Sequence, residues 1–118
     1  MRFLERQREL QVGSYGEDPA ELEGQPLADF VIWNVVAATD ELHEALHEVK
    51  GWKPWSTRQP SSLLSAEERE DFVEELVDTL HFLGNLFLAA GVDDDELWAK
   101  YHGKADVNAD RQVEGYDR

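Results

Sequence analysis

The stretch Leu27-Ala-Asp-Phe-Val31-Ile-Trp-Asn34-Val35-Val-Ala-Ala38-Thr-Asp-Glu41-Leu42-His-Glu44-Ala45-Leu46-His-Glu48-Val49 decides the fold. Its apolar residues Leu27, Val31, Val35, Ala38, Leu42, Ala45, Leu46 and Val49 recur at steps of three and four, the spacing of one helix face, and Gly51 with Pro54 ends the pattern. A second helix is announced by Ser65-Ala66-Glu67-Glu68, a capping box with Leu63 and Leu64 placed as a staple. Phe72, Leu76, Leu80, Leu83 and Phe87 form its stripe, Val73, Val77 and Leu86 flank it, and Gly91 stops it. Asp93-Asp94-Asp95 suits a helix N-terminus, after which Leu97, Trp98, Tyr101, Ala105 and Val113 support a final helix. Upstream, residues 2–12 suit a short helix, followed by a segment punctuated by Gly13, Gly16, Pro19, Gly24 and Pro26. No run alternates with period two, so the fold class is all-α: three main helices plus an N-terminal docking arm, residues 1–26.

The 118 residues, 42% hydrophobic and 31% charged, fit a single domain with a modest core. Three helices and an arm bury little surface at this length, and Ile32, Val36, Leu88 and Trp98 stand outside the main stripes, so the bundle is expected to be completed as a homodimer or higher oligomer. Eleven basic against twenty-six acidic residues give a formal charge of -15, which opposes nucleic-acid binding. A small anion chelated to a divalent cation remains compatible with such a surface. The absence of Cys rules out disulfides and thiolate zinc sites. The opening residues lack the apolar core of a signal peptide and no apolar run nears the roughly 18 residues of a membrane span, so a cytoplasmic protein with no membrane contact is expected.

At about 100° per residue, Glu41 and Glu44 share one flank of the first long helix. Glu75, Asp78 and Asn85 share an edge of the second, with Asp71 close by. Helices packed through their stripes can bring an E-x-x-E pair against an E-x-x-D pair. Four close carboxylates repel one another unless cations intervene, and their oxygens are the ligands Mg²⁺ or Mn²⁺ takes. A solvated acidic face is the ordinary alternative in a chain this acidic.

His43-Glu44-Ala45-Leu46-His47 also reads as H-E-x-x-H, the zinc peptidase signature. Both histidines fall nearly opposite the apolar stripe, where nothing in so small a bundle encloses a zinc, and no strand offers an edge to a peptide. Solvent-facing histidines are expected instead. In the final helix Lys104, Asn108 and Arg111 follow at steps of four and three, with Tyr116 soon after, supplying donors a polyphosphate needs or a row that pairs with neighbouring acids. Trp52, Lys53 and Trp55 sit in a loop beside the carboxylates, placed either to cap the core or to sandwich a base and touch phosphate.

The string from Glu41 to Trp55, then Glu74-Glu75-Leu-Val-Asp78-Thr-Leu-His81-Phe82, then Tyr101-His-Gly-Lys104-Ala-Asp-Val-Asn108-Ala-Asp-Arg111-Gln112-Val-Glu-Gly115-Tyr116, resembles the dimeric all-α dUTPases. These belong to the wider all-α nucleoside triphosphate pyrophosphohydrolases, which include MazG. The resemblance covers about residues 27–116. It implies an all-α NTP pyrophosphatase bundle that hydrolyses a deoxynucleoside triphosphate, dUTP first, to the monophosphate and pyrophosphate with Mg²⁺ or Mn²⁺. On the family pattern Glu41, Glu44, Glu75 and Asp78 hold metal, and Glu41, with Glu44, serves catalysis as the group that takes the water's proton. Lys53, Lys104, Asn108, Arg111 and Tyr116 hold phosphates, while Asn34, Trp55 and His81 line the base and sugar pocket. Short MazG-like relatives act on dGTP, dATP or modified nucleotides, which is the alternative within the enzyme class. A non-catalytic helical assembly module is the alternative outside it.

Overall fold

The structure, a computed structural model, describes residues 2–49, 51–57 and 65–114, without the Glu114 side chain. Its elements in order are α1 (Phe3–Tyr15), a 3-10 turn (Pro19–Glu21), α2 (Gly24–His47), α3 (Ala66–Ala89) and α4 (Asp94–Glu114). No strand occurs among the described residues, and the all-α class follows.

The helix starts follow local chemistry. Ser65 Oγ accepts from the Glu68 N–H at 3.2 Å and opens α3, while the staple residues Leu63 and Leu64 lie outside the described residues. Asp93 Oδ1 does the same for α4, accepting from the Glu96 N–H at 2.8 Å. α2 begins three residues before the expected Leu27, because Pro26 falls in the first turn, where a missing N–H breaks no intrahelical bond.

The N-terminal arm carries a helix that ends three residues later than expected, where Gly16 turns left-handed at φ 71°. It docks on α3. Leu4, Gln7 and Gln11 are buried, and Gly84 admits the approach: a Cβ there would lie 3.0 Å from Phe3 Cζ and 3.1 Å from Gln7 Cγ. Inside a helix a glycine costs about 1 kcal/mol relative to alanine, so its place in α3 answers to packing. Arg2 gives α1 no side-chain cap. Buried Asp94, at the start of α4, supplies one instead, accepting from the N–H groups of Leu4 at 2.8 Å and Glu5 at 3.0 Å. Arg2 also pairs with Asp95. Arg8 donates to Asp18 at 2.6 Å, and Asp18 in turn accepts from the Ala20 N–H, which ties the 3-10 turn to α1.

α2 and α3 pack along their length, with their shared face rotated from the expected stripes. α2 buries Asn34, Ala38 and Ala45, and α3 buries Thr79, Gly84, Asn85 and Leu88. Small side chains on these faces allow the axes to approach. Val35 and Leu42 on α2, and Leu76, Leu80 and Leu83 on α3, are left exposed, although sequence periodicity places them inward. Ile32 and Val36 are 57% and 62% exposed, whereas Leu88, expected among the outlying apolar residues, is only 5% exposed.

The result is an extended chain. Its radius of gyration is 17.9 Å, against about 13.5 Å expected for a compact domain of this length. Its accessible surface is 8655 Å², against about 6,500 Å² for a typical monomer of this mass. From Trp98 to Val113 every residue of α4 is exposed. No described helix is long and apolar enough to cross a membrane.

Candidate active site

The rotation that exposes the apolar stripes turns the polar flanks inward. Glu41 on α2 and Glu75 on α3 are half-buried and face each other, and each carries its partner one turn along, Glu44 and Asp78. Carboxylate oxygens of Glu41, Glu75 and Asp78 lie within 4.8 Å of one another, and those of Asp40, Glu41 and Glu44 form a second such group sharing Glu41. The expected E-x-x-E and E-x-x-D pairs therefore meet. Asp40 joins them, which periodicity did not single out, because its exposed position reads as solvated.

Crowding raises the pKa of two carboxyl groups in the cluster. The charge of Glu75 comes first in raising the Glu44 pKa above the usual carboxylate range, followed by desolvation. Glu75 is itself raised, first by the hydrogen-bonding contact with Glu41, then by desolvation and the Glu41 charge. Glu75 Oε2 is buried with no hydrogen-bond partner. An acceptor-only oxygen left unpaired among other carboxylates is the donor set a hard divalent cation satisfies, so the residues present fit Mg²⁺ or Mn²⁺.

A cleft of about 720 Å³ runs from these carboxylates between α1, α2 and α3. Glu41 and Asp78 line one part of it, and Asn34, His81, Phe82 and Asn85 are among the residues that line the remainder. Buried side-chain amides cross it in a continuous chain: Asn34 Nδ2 donates to the Phe30 carbonyl at 2.8 Å, Asn85 Nδ2 to Asn34 Oδ1 at 2.8 Å, and Gln7 Nε2 to Asn85 Oδ1 at 2.8 Å. His81 Nδ1 closes the chain on Gln7 Oε1 at 2.7 Å. Asn34 and His81 thus both line the cleft and belong to one hydrogen-bonded chain. Gln7 and Gln11, which also line the cleft, were missed by the sequence reading. The spacing of Leu4, Gln7 and Gln11 on one helix face was the available signal.

The remaining expected residues lie elsewhere. Trp52 and Trp55 flank Lys53, whose Nζ sits 5.6 Å and 5.9 Å from the two ring centres, and Trp55 is 76% exposed. Neither Lys53 nor Trp55 lines the cleft within this chain. Lys104, Asn108 and Arg111 are on the exposed length of α4, and Tyr116 lies outside the described residues. His43 and His47 are exposed with their rings 6.4 Å apart, and every group of close potential metal ligands among the described residues is made of carboxylates alone.

A family model described as dUTPase matches residues 3–91, taking in α1, the carboxylate pairs and the amide chain. The dCTP pyrophosphatase of Enterobacteria phage LZ5 is 37% identical over 71 residues, 55% of this chain and 41% of that protein. The dCTP pyrophosphatase of Enterobacteria phage T4 is 32% identical over 71 residues, 55% of this chain and 42% of that protein. The chain therefore spans about two fifths of the length of these curated relatives. No solved structure gives a significant match. The family model covers three quarters of the sequence, including both acidic pairs at the cleft, and the chain belongs to the dUTPase family.

Proposed function

We propose that the protein hydrolyses a pyrimidine deoxynucleoside triphosphate, dUTP first, to the monophosphate and pyrophosphate. The observation that carries this reading is the carboxylate cluster, with its unpartnered Glu75 oxygen, opening into a cleft walled by amides. Glu41, Glu44, Glu75 and Asp78 would hold Mg²⁺ or Mn²⁺, which when bound neutralises the triphosphate and lowers the pKa of the attacking water. Glu41 would take the proton from that water, a role supported by its membership of both carboxylate groups and its place on the cleft wall. Asn34 presents an amide able to donate to and accept from a pyrimidine edge, and Phe30 and Phe82 add apolar wall. A second reading, dCTP as the preferred substrate, is favoured by the names of the two phage relatives. Pyrophosphate release from dUTP, dCTP, dTTP, dGTP and dATP, each with Mg²⁺, tests both. A higher kcat/KM for dUTP is expected, a higher value for dCTP establishes the second reading, and no turnover of any nucleotide overturns both.

The phosphate-binding residues complete the site only in an assembly. Lys104, Asn108 and Arg111 stand on an α4 that one chain leaves bare, while α2 and α3 leave Val36, Leu42 and Leu80 uncovered. The excess of roughly 2,000 Å² over a typical monomer surface is the scale an obligate homodimer buries. We propose a homodimer or higher oligomer. Sedimentation equilibrium at micromolar concentration should return at least twice the chain mass, and a stable monomer contradicts it.

A further inference from the structure

The amide chain in the cleft has a direction, and one atom sets it. The Phe30 carbonyl can only accept, so it takes a hydrogen from Asn34 Nδ2. That turns Asn34 Oδ1 toward Asn85, which must donate, and Asn85 Oδ1 then faces Gln7, which must donate in turn. Gln7 Oε1 is left facing His81 Nδ1. An amide oxygen has no proton to give, so Nδ1 carries the hydrogen. Reversing one amide alone would set oxygen against oxygen and nitrogen against nitrogen in a buried site. Free imidazole prefers the other tautomer, with the hydrogen on Nε2, so the chain works against the intrinsic preference of the ring.

The order of residues along α3 gives this a use. Glu75 and Asp78 mark the carboxylate end, and Asn85, bonded to Asn34, marks the amide end. His81 lies between, about 4.5 Å along the axis from Asp78 and about 6 Å from Asn85. A nucleotide with its phosphates at the carboxylates and its base at the amides places its sugar at His81. We infer that Gln7 and Asn85 are positioning residues that hold His81 as the Nδ1–H tautomer, leaving Nε2 a bare acceptor for the 3′-hydroxyl of a deoxynucleotide. The inference rests on the nucleotide reading above. It also explains why α1 must dock: Gln7 reaches the chain only because Gly84 admits it and Asp94 fixes its helix.

Long-range ¹⁵N–¹H correlation spectra of the nucleotide-free protein report the tautomer directly. His81 should show the Nδ1–H pattern in the wild type and shift toward Nε2–H in Gln7→Met. It should shift likewise in Asn85→Leu, although Asn85 makes no hydrogen bond to His81. A wild type already in the Nε2–H form, or an Asn85→Leu spectrum unchanged at His81, overturns the relay. In turnover, dUTP should exceed 2′,3′-dideoxy-UTP by about tenfold in kcat/KM, the worth of one well-placed hydrogen bond, and Gln7→Met should bring the two close to parity. A ratio unchanged by Gln7→Met overturns the role of His81 toward the sugar. If no nucleotide is hydrolysed, the proposed activity fails, while the spectra still decide the relay independently.

Discussion

Glu75→Gln is expected to lower kcat/KM for dUTP by about a thousandfold at saturating Mg²⁺, with Glu44→Ala and Asp78→Ala close behind. The substitution keeps the shape of the side chain and removes the charge of a carboxylate whose buried Oε2 has no hydrogen-bond partner. A divalent ion that stabilises transferring phosphoryl oxygens contributes several kcal/mol, and about 4 kcal/mol corresponds to that factor. Mn²⁺ titration by calorimetry should show the affinity falling alongside the rate. Full activity in all three variants, with metal chelated, would remove the site.

The same variant should behave in the opposite way toward folding. Glu44 and Glu75 carry raised pKa values because each faces other carboxylates, and both ordinarily titrate near 4.5. For a carboxyl raised in the folded state, the stabilising contribution is complete below the unfolded value and is lost as pH rises through the folded one. The metal-free protein should therefore lose thermal stability as pH climbs from about 4.5. Glu75→Gln should flatten that decline, and Mg²⁺ at neutral pH should reverse it in the wild type alone. A melting temperature of metal-free Glu75→Gln well below that of the wild type at neutral pH would contradict carboxylate crowding.

How far the sequence reveals this arrangement depends on which signal a residue carries. Ser65 and Asp93 announce their helices through short-range hydrogen bonds to the next turn, and the structure shows both bonds. The two acidic pairs are legible because helical spacing alone puts each pair on one flank. The packing face was not legible. A stripe count assumes that the most apolar face is buried within one chain, yet α2 buries Asn34 while the stripe members Val35 and Leu42 stay exposed and only the small ones, Ala38 and Ala45, are fully buried. Apolar residues that one chain leaves open follow the same period as those it covers, so periodicity cannot apportion them. Gln7 escaped for a different reason. The spacing of Leu4, Gln7 and Gln11 marks its helix face, but its importance comes from Asn85, 78 residues away, and that spacing does not name the partner. Gly84 carries the complementary clue, a helix-interior glycine whose cost is explained only by the arm that lies against it.

Asn34→Ala should separate recognition from chemistry. Asn34 lies about two helical turns before Glu41 on the same side of α2, lines the cleft, and has its amide oriented from both ends by the Phe30 carbonyl and Asn85. Uracil offers an N–H beside a carbonyl on its pairing edge, and cytosine offers a ring nitrogen beside an amino group, so a fixed amide matches one order of donor and acceptor better than the other. Truncation removes both groups and leaves Asn85 Nδ2 without its acceptor, and together these should raise the KM for dUTP by roughly 10- to 100-fold. The carboxylates are untouched, so Mn²⁺ affinity should remain within about twofold of the wild type, a change below 0.5 kcal/mol. The preference over dTTP rests on different physics, because a methyl group in a pocket is worth only about 1–3 kcal/mol unless it meets a wall. Phe30 and Phe82 line the cleft and can form that wall, so Asn34→Ala should weaken dUTP and dTTP turnover by similar factors and leave their ratio nearly intact. A variant that loses metal affinity along with dUTP turnover would instead make Asn34 a support of the carboxylate cluster, and base recognition would have to be sought elsewhere.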